Sequence, residues 1–139
     1  MPNSWFGNRD ITIDRNVVKK VLVLEDSRSR VEWFKKNLDP YIESVEYTDN
    51  ALHCVSLLSM NKYDMVMLDH DLENNAYVDV EEKNTGSTVA KYIASEDNVL
   101  NKDITVLIHS LNTVGANNMI SFVKTAEHIP FGGFEFKFK

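Results

Sequence analysis

Apolar and polar positions alternate along the chain in two different periods, which separates strand segments from helix segments. Three short segments, at 20–24, 65–68 and 104–108, are apolar at nearly every position, as expected of parallel strands with helices on both faces. A further short strand is predicted at 44–47. Between them apolar residues recur at helical spacing, in segments near 27–38, 49–60, 87–95 and 113–126. Strands that alternate with helices predict a three-layer α/β fold with right-handed crossovers.

Capping residues set the predicted helix boundaries. Ser27 or Asp26 can cap the first helix, and Asp49 can cap the second. In the second helix Leu52, Val55 and Leu58 are predicted to face the core. Cys54, the only cysteine, lies within this apolar pattern and is predicted to be packed in or near the core rather than to act as a nucleophile.

The two ends of the chain differ from this regular pattern. Phe134, Phe136 and Phe138 alternate with charged residues, which predicts a half-buried edge strand as the fifth strand of the sheet. Residues 1–16 are irregular, and we assign them to an N-terminal arm in front of a domain at 17–139. Only Ile11 and Ile13 indicate a short added strand in the arm.

Composition narrows the class of protein. A chain of 139 residues with 43% hydrophobic content forms one domain most simply. The net charge of −6 argues against an extended nucleic-acid binding surface. No segment has the length of a membrane span, no signal peptide is evident at the start, and a single cysteine suits a reducing cytoplasm, so we expect a cytoplasmic protein without a membrane partner.

Polar residues follow three of the predicted strands at the point where each strand ends. Because the carboxyl ends of adjacent parallel strands lie side by side, these residues are expected in one crevice, where open α/β folds bind ligands. The residues are Glu25 and Asp26, then Asp69, His70 and Asp71, then His109, Ser110 and Asn112.

The carboxylates of this crevice predict a metal site. Crowded carboxylates repel one another unless a cation or proton joins them, and oxygen ligands suit Mg²⁺ or Mn²⁺. The predicted ligands are Glu25, Asp26, Asp69 and Asp71. The alternative is that Glu25 and Asp26 only begin a helix, where acidic residues complement the helix dipole.

Glu25, Asp26, Asp69 and Ser110 together resemble the site of response-regulator receiver domains. The resemblance implies a receiver-like, flavodoxin-like fold with a five-stranded parallel sheet of order 2-1-3-4-5, counted from the 20–24 strand. It also implies that the acids hold Mg²⁺ and that Asp69 accepts phosphate. That family has a lysine after the fifth strand and then a fifth helix, whereas this chain has only Lys137 and Lys139 in its terminal strand and no fifth helix.

A narrower resemblance rests on three segments. These are Leu68-Asp69-His70-Asp71-Leu72, Thr85-Gly86, and Ile108-His109-Ser110-Leu111-Asn112 followed by Val114-Gly115-Ala116-Asn117-Asn118-Met119. They are similar to the cyclic-phosphate processing receiver-like family. This resemblance implies a metal-dependent phosphoesterase whose substrate is a small phosphate ester, such as a cyclic nucleotide or an RNA end.

The chemistry of cyclic phosphate opening suggests roles for the remaining residues. The reaction needs a base and an acid, and His70 and His109 are the predicted pair because imidazole titrates near neutrality. The alternative is that each histidine is a hydrogen-bonded structural residue. We expect Ser110 and Asn112 to orient a phosphate oxygen at the start of the fourth helix, where free backbone N–H groups favour an anion. Gly115, Ala116 and Asn117 complete this predicted ligand site.

Two other functions remain open. One is a receiver-type signalling or nucleotide-sequestering module that binds without turnover. The other is a haloacid-dehalogenase-like phosphatase, suggested by Asp69, Asp71 and Ser110 but disfavoured because no later aspartate pair follows Ser110.

Two further expectations concern surfaces. The segment 73–86 is longer than the usual two to about six residues between a strand and a helix, which suggests a lid or a disordered loop. Without a fifth helix, the phenylalanines of the terminal strand need cover, either from Trp5, Phe6 and Ile11 of the arm or from a second subunit. We favour a homodimer to which the arm contributes.

Overall fold

A computed structural model describes residues 9–72 and 82–139 of the chain. Strands and helices alternate through the middle of the sequence, as the apolar pattern predicts. In chain order the elements are β1 (Arg9–Ile13), β2 (Lys20–Leu24), α1 (Arg28–Leu38), β3 (Ser44–Thr48), α2 (Ala51–Met60), β4 (Met65–Leu68), α3 (Gly86–Ala94), β5 (Thr105–Ile108), α4 (Thr113–Phe122), β6 (Glu127–His128) and β7 (Phe134–Phe138).

The main sheet has five parallel strands in the order β3-β2-β4-β5-β6. This arrangement confirms the predicted fold class, including the strand order, and the described residues 129–139 that follow the fifth strand contain no helix. The identity of the fifth strand was predicted wrongly. The short strand β6 takes that position, and β7 pairs instead with β1 in a separate two-stranded parallel sheet.

Two apolar cores lie on the two faces of the main sheet. Side chains alternate along each strand, so Leu24, Leu68 and Ile108 point to the face covered by α2, α3 and α4. Val23, Met67 and Leu107 point to the face covered by α1, β1 and β7. We call these the α4 face and the α1 face.

The β1–β7 pair covers the part of the α1 face that lies beside helix α1. Ile11, Ile13 and Phe134 are buried there against Phe34 and Leu38. The arm therefore supplies cover within one chain, as one of the two alternatives expected. Trp5 and Phe6 lie outside the described residues, and the homodimer remains a prediction.

Two details of α2 differ from the sequence expectation. The N-cap residue is Asn50 rather than Asp49, and the Asn50 side chain accepts a hydrogen bond from the His53 amide at 2.9 Å. Leu52 is 64% exposed, because the buried face of the helix consists of Ala51, Cys54 and Leu58. The burial of Cys54 confirms its predicted place in the core.

Two of the remaining helix predictions agree closely with the structure, whereas α4 ends at Phe122, four residues before the predicted end at 126, so that Val123 and Ala126 follow the helix. Helix α1 starts after Ser27 and ends at Leu38, and α3 begins one residue earlier than predicted. The predicted lid falls largely on 73–81, which lie outside the described residues. Within 9–72 and 82–139, no helix has both the length and the apolar character needed to cross a membrane.

Candidate functional site

Three buried residues with ionisable side chains meet at the carboxyl edge of the main sheet. Glu25, Asp69 and His109 each follow the last residue of a strand, in β2, β4 and β5 respectively. Backbone hydrogen bonds continue the strand pairing one step further, from the Asp69 amide to Leu24 and from the His109 amide to Leu68. The register therefore places the three side chains side by side on the same face, and we call them the acid–imidazole cluster.

The distances within the cluster are short. One ligand atom of each of the three residues lies within 4.8 Å of the other two. His109 Nε2 is 2.9 Å from Glu25 Oε1, and the Ser27 amide donates to Glu25 Oε2 at 2.9 Å. The His70 amide donates to Asp69 Oδ1 at 2.9 Å. Both carboxylates are therefore fixed by hydrogen bonds from the surrounding backbone or imidazole.

Arg30, in the first turn of α1, provides a positive charge beside the cluster. Its Nη1 lies 3.8 Å from Glu25 Oε1 and 3.9 Å from Asp69 Oδ2. The guanidinium carbon is 5.2 Å from the centre of the Phe131 ring, which places the planar group over an aromatic face. The Arg30 side chain is 28% exposed, so a ligand that approaches from solvent can contact it. The sequence analysis missed this residue.

The two buried carboxyl groups of the cluster have pKa values that are shifted in opposite directions. Burial, with a smaller contribution from the charge of nearby Glu25, raises the pKa of Asp69 from 3.8 to about 7 against the opposing effects of His109 and Arg30. The pKa of Glu25 is lowered instead, because the hydrogen bond and charge of His109, the Ser27 amide and Arg30 together outweigh burial. A cation bound here would lower the cost of ionising Asp69.

A second polar group lies on the opposite face of the sheet, under the start of α4. His70 Nδ1 is 2.9 Å from Asp71 Oδ1, and Asn112 Nδ2 donates to the same oxygen at 3.0 Å. Asn112 also caps α4 by accepting the Gly115 amide, and its own amide donates to Ser110 Oγ. We call these residues the α4 cap group.

The structure divides the four predicted metal ligands. Glu25 and Asp69 lie in the acid–imidazole cluster, while Asp71 belongs to the α4 cap group. Asp26 is half-buried and lines a groove beside Glu25. His109, which the sequence analysis assigned to acid–base chemistry, takes the third place in the cluster.

The two histidines of the predicted acid–base pair lie on opposite faces. The His109 ring packs 5.0 Å from the Phe34 ring on the α1 face. The His70 ring packs against Gly115 on the α4 face and is completely buried. The physical reason is the alternation of side chains: residues 69 and 109 share one face, and residues 70 and 110 share the other.

The predicted phosphate-orienting residues are also on the α4 face. Ser110 is fully buried and Asn112 is 5% exposed, and both are engaged in holding the start of α4. Gly115 and Ala116 are buried, whereas Asn117 is exposed. The close approach that Gly115 permits is therefore to the His70 ring in this structure.

A groove opens beside the cluster, between the start of α1 and the β3–α2 connection. It has a volume of about 560 Å³. Its lining combines acidic, basic and aromatic side chains: Glu25, Asp26, Arg28, Glu32, Lys35, Tyr47, Asp49 and His53, with Val31 and Thr48. Glu25 belongs to both the groove and the cluster, so the groove adjoins the cluster at this residue.

Within the part of the chain that the structure describes, no lysine at this edge corresponds to the one that receiver domains have after the fifth strand. Strand β6 is followed by Ile129, Pro130 and Phe131, and the Phe131 amide donates to the His109 carbonyl. Lys137 lies in β7 and pairs with Glu135. Arg30 is the basic side chain that contacts both carboxylates among the described residues.

Solved structures similar to this chain are response-regulator receiver domains. The signal receiver domain of a protein described as a Luxo repressor from Vibrio parahaemolyticus has a TM-score of 0.59 at 20% identity, covering 86% of this chain and 78% of that one. The phosphorylated cyanobacterial phytochrome response regulator RcpA has a TM-score of 0.62 at 18% identity, covering 79% of each chain.

A third neighbour carries ligands. It is a response regulator from Burkholderia pseudomallei with a phosphorylated aspartic acid, a calcium ion and citrate. Its TM-score is 0.60 at 15% identity, covering 79% of this chain and 58% of that one. At these identities the similarity shows the fold.

A search of curated protein sequences finds no match to the chain. A family model does match: the cyclic-phosphate processing receiver domain, over residues 20–125, which is more than half of the chain. The matched segment contains Glu25, Arg30, Asp69 and His109. The protein therefore belongs to the cyclic-phosphate processing receiver family.

Proposed function

We propose that this protein is a metal-dependent phosphoesterase that opens a cyclic phosphate on a nucleotide or at a nucleic-acid end. The observation that carries the proposal is the acid–imidazole cluster with Arg30 beside it, in a chain of this family. Two buried carboxylates, an imidazole and a guanidinium supply the types of group that phosphoester hydrolysis requires.

The reaction adds one water molecule to the cyclic ester. The water oxygen bonds to phosphorus, one of the two ring P–O bonds breaks, and the freed oxygen leaves as a hydroxyl. One proton of the water goes to that oxygen, and the other stays on the new phosphate monoester or passes to solvent. Negative charge develops on the phosphate oxygens, so positive charge near them accelerates the step.

Arg30 is our choice for the phosphate contact. Its planar guanidinium can donate two parallel hydrogen bonds to phosphate oxygens. Its distances of 3.8 and 3.9 Å from the two carboxylates are longer than a direct hydrogen bond, so it can turn toward a ligand at small cost. The Arg30 guanidinium stacks over the Phe131 ring, which helps to hold it in position.

The cluster fits a divalent ion such as Mg²⁺ or Mn²⁺. Glu25 and Asp69 supply carboxylate oxygens close enough to share one ion, and a bound cation would stabilise the charged form of the buried Asp69. When bound, the ion would supply positive charge to the phosphate oxygens and lower the pKa of a bound water. The role of the chain is to hold the ion, to orient the phosphate and to limit the access of solvent water to the site.

The adjoining groove supports a nucleotide-sized substrate. Its volume of about 560 Å³ lies within the roughly 300–1,000 Å³ typical of small-molecule sites. Arg28 and Lys35 bring positive charge to a chain that is acidic overall, and Tyr47 offers an aromatic ring. A cyclic nucleotide or a single terminal nucleotide would fill it.

A second function is favoured by the fold and by the position of Asp69. In a receiver-type module Asp69 itself would accept a phosphoryl group, as the aspartic acid of the Burkholderia neighbour does. One feature disfavours this function: β6 is followed directly by Ile129, Pro130 and Phe131, so no lysine stands immediately after the fifth strand.

A substrate panel tests the proposal. The full chain is incubated with 2′,3′- and 3′,5′-cyclic nucleotides and with oligonucleotides ending in a cyclic phosphate, each with Mg²⁺, Mn²⁺ or a chelator. We expect metal-dependent cleavage of at least one member and its loss in Asp69→Asn. Parallel incubation with acetyl phosphate and Mg²⁺ tests the second function. Stable phosphorylation of Asp69 without cleavage of any cyclic phosphate would contradict the proposal.

A further inference from the structure

We propose that His109 is itself a metal ligand, together with Glu25 and Asp69, and that this nitrogen ligand gives the site a preference for divalent transition ions over Mg²⁺ and Ca²⁺. The ions expected to bind well are Mn²⁺, Co²⁺ and Zn²⁺. The inference deepens the proposed function, on which it rests for the presence of an ion, by assigning the ligand set and the class of metal.

The spacing of His109 Nε2 and Glu25 Oε1 matches that of neighbouring ligands in a coordination shell. Two neighbouring ligands at about 2.1 Å from an octahedral ion are about 3.0 Å apart, from the geometry of a right angle. His109 Nε2 and Glu25 Oε1 are 2.9 Å apart, and the nearest oxygen of Asp69 completes a set within 4.8 Å. An ion can therefore replace the hydrogen bond between His109 and Glu25 without a change in the backbone.

The surroundings of His109 hold its ring in this position. The ring packs 5.0 Å from Phe34 and 6.4 Å from Phe131, and the residue is 2% exposed. Nδ1 is buried and has no hydrogen-bond partner among the described residues. The polar contact that orients the ring is thus the one made by Nε2, the atom that faces Glu25.

The identity of the ligand atoms determines which ions bind. Mg²⁺ and Ca²⁺ take oxygen ligands and gain little from imidazole, whereas affinity for nitrogen rises from Mn²⁺ through Co²⁺ to the later ions. A site made of two carboxylates alone would discriminate less between these two classes of ion. The burial of all three residues removes competing water and strengthens the effect of the ligand type.

Arg30 does not block the ion. Its Nη1 is 3.8 Å from Glu25 and 3.9 Å from Asp69, so the two contacts are charge attractions beyond hydrogen-bond length. With 28% of its side chain exposed, Arg30 can move outward when an ion enters. It then lies beside the ion, where the proposed function needs a phosphate contact.

Electron spin-echo spectroscopy of bound Mn²⁺ tests the ligand directly. The full chain and three variants, His109→Gln, His53→Gln and Asp69→Asn, are loaded with Mn²⁺. We expect nitrogen modulation from one imidazole in the wild type and in His53→Gln, a matched control whose histidine lies in the adjoining groove. The modulation should be absent in His109→Gln. Circular dichroism of each variant verifies the fold.

Calorimetry tests the selectivity. We expect His109→Gln to weaken Co²⁺ and Zn²⁺ binding by about 10-fold or more and to change Mg²⁺ binding by less than about threefold, since glutamine offers oxygen in place of nitrogen. Bound Mn²⁺ without nitrogen modulation, or equal losses for all ions, would overturn the inference. These readouts need no substrate, so a failed substrate panel leaves them unaffected, and an active enzyme lacking nitrogen modulation would overturn the inference alone.

Discussion

The substitution Gly115→Ala tests whether His70 is a structural residue. Gly115 lies in the first turn of α4, and an added Cβ would be 2.5 Å from Nδ1 and 2.8 Å from Cδ2 of the His70 ring. Carbon atoms normally pack at about 3.5–4.0 Å, so the ring or the helix must shift. The ring is completely buried, and Asp71 holds its Nδ1 at 2.9 Å.

Two effects of opposite sign determine the size of the change. Overpacking a core costs about 1–3 kcal/mol. Replacing glycine by alanine inside a helix raises the free energy of unfolding by up to about 1 kcal/mol, because alanine has the higher helix propensity. We therefore expect Gly115→Ala to lower the free energy of unfolding by about 1–2 kcal/mol, measured by urea denaturation.

A double-mutant cycle identifies the cause. In a His70→Ala background the ring is gone, so the same alanine should be neutral or stabilising by as much as about 1 kcal/mol. Wild-type stability of Gly115→Ala alone, or the same destabilisation in both backgrounds, would refute the contact between the helix and the ring.

Three further predictions follow from the same structure. The pKa of Asp69 rises from 3.8 to about 7 on folding, so between about pH 4 and pH 7 the folded protein holds a proton that the unfolded chain releases. The free energy of unfolding of the metal-free protein should therefore contain a component that falls as pH rises from about 4 to 7. Thermal unfolding at several pH values should show that Asp69→Asn lacks this component. Phe134→Ala should cost about 3–5 kcal/mol in urea denaturation because the residue is 5% exposed, whereas the half-buried Phe138 should cost clearly less on the same substitution; equal losses would show that β7 does not cover the core. Arg30→Lys should raise KM for a cleaved substrate more than it lowers kcat, because it keeps the charge but loses the planar pair of donors; unchanged kinetics would remove the phosphate contact.

The main sheet was predicted well because its strands and helices can be recognised from residues that are close together in the sequence. Strands such as β2 and β4 are continuous apolar runs, and each is followed by a helix with a clear apolar face. Strand β6 has only two residues, Glu127 and His128, and no apolar pattern could predict it. The alternating pattern of β7 did predict a strand, but alternation does not show which partner the strand pairs with.

The candidate site was predicted in part, for a related reason. The polar strand ends were correctly expected to meet at one edge of the sheet. Consecutive residues at a strand end point to opposite faces, however, so Asp69 and His70 belong to different groups. Which residues of neighbouring strands share a face depends on the register, and the sequence does not contain that register explicitly. Arg30 was missed because its contacts depend on how α1 packs.

The measurement that tests the central claim most directly is phosphorus NMR of the full chain with a 2′,3′-cyclic nucleotide and Mn²⁺. The account predicts that the cyclic phosphate signal is replaced by that of a monoester, at a rate that Asp69→Asn reduces to background. Lys102→Gln, altered outside both the acid–imidazole cluster and the groove, should retain the wild-type rate. A cyclic phosphate signal that stays unchanged, although Mn²⁺ is bound and every cyclic nucleotide of the panel has been tried, would contradict the account.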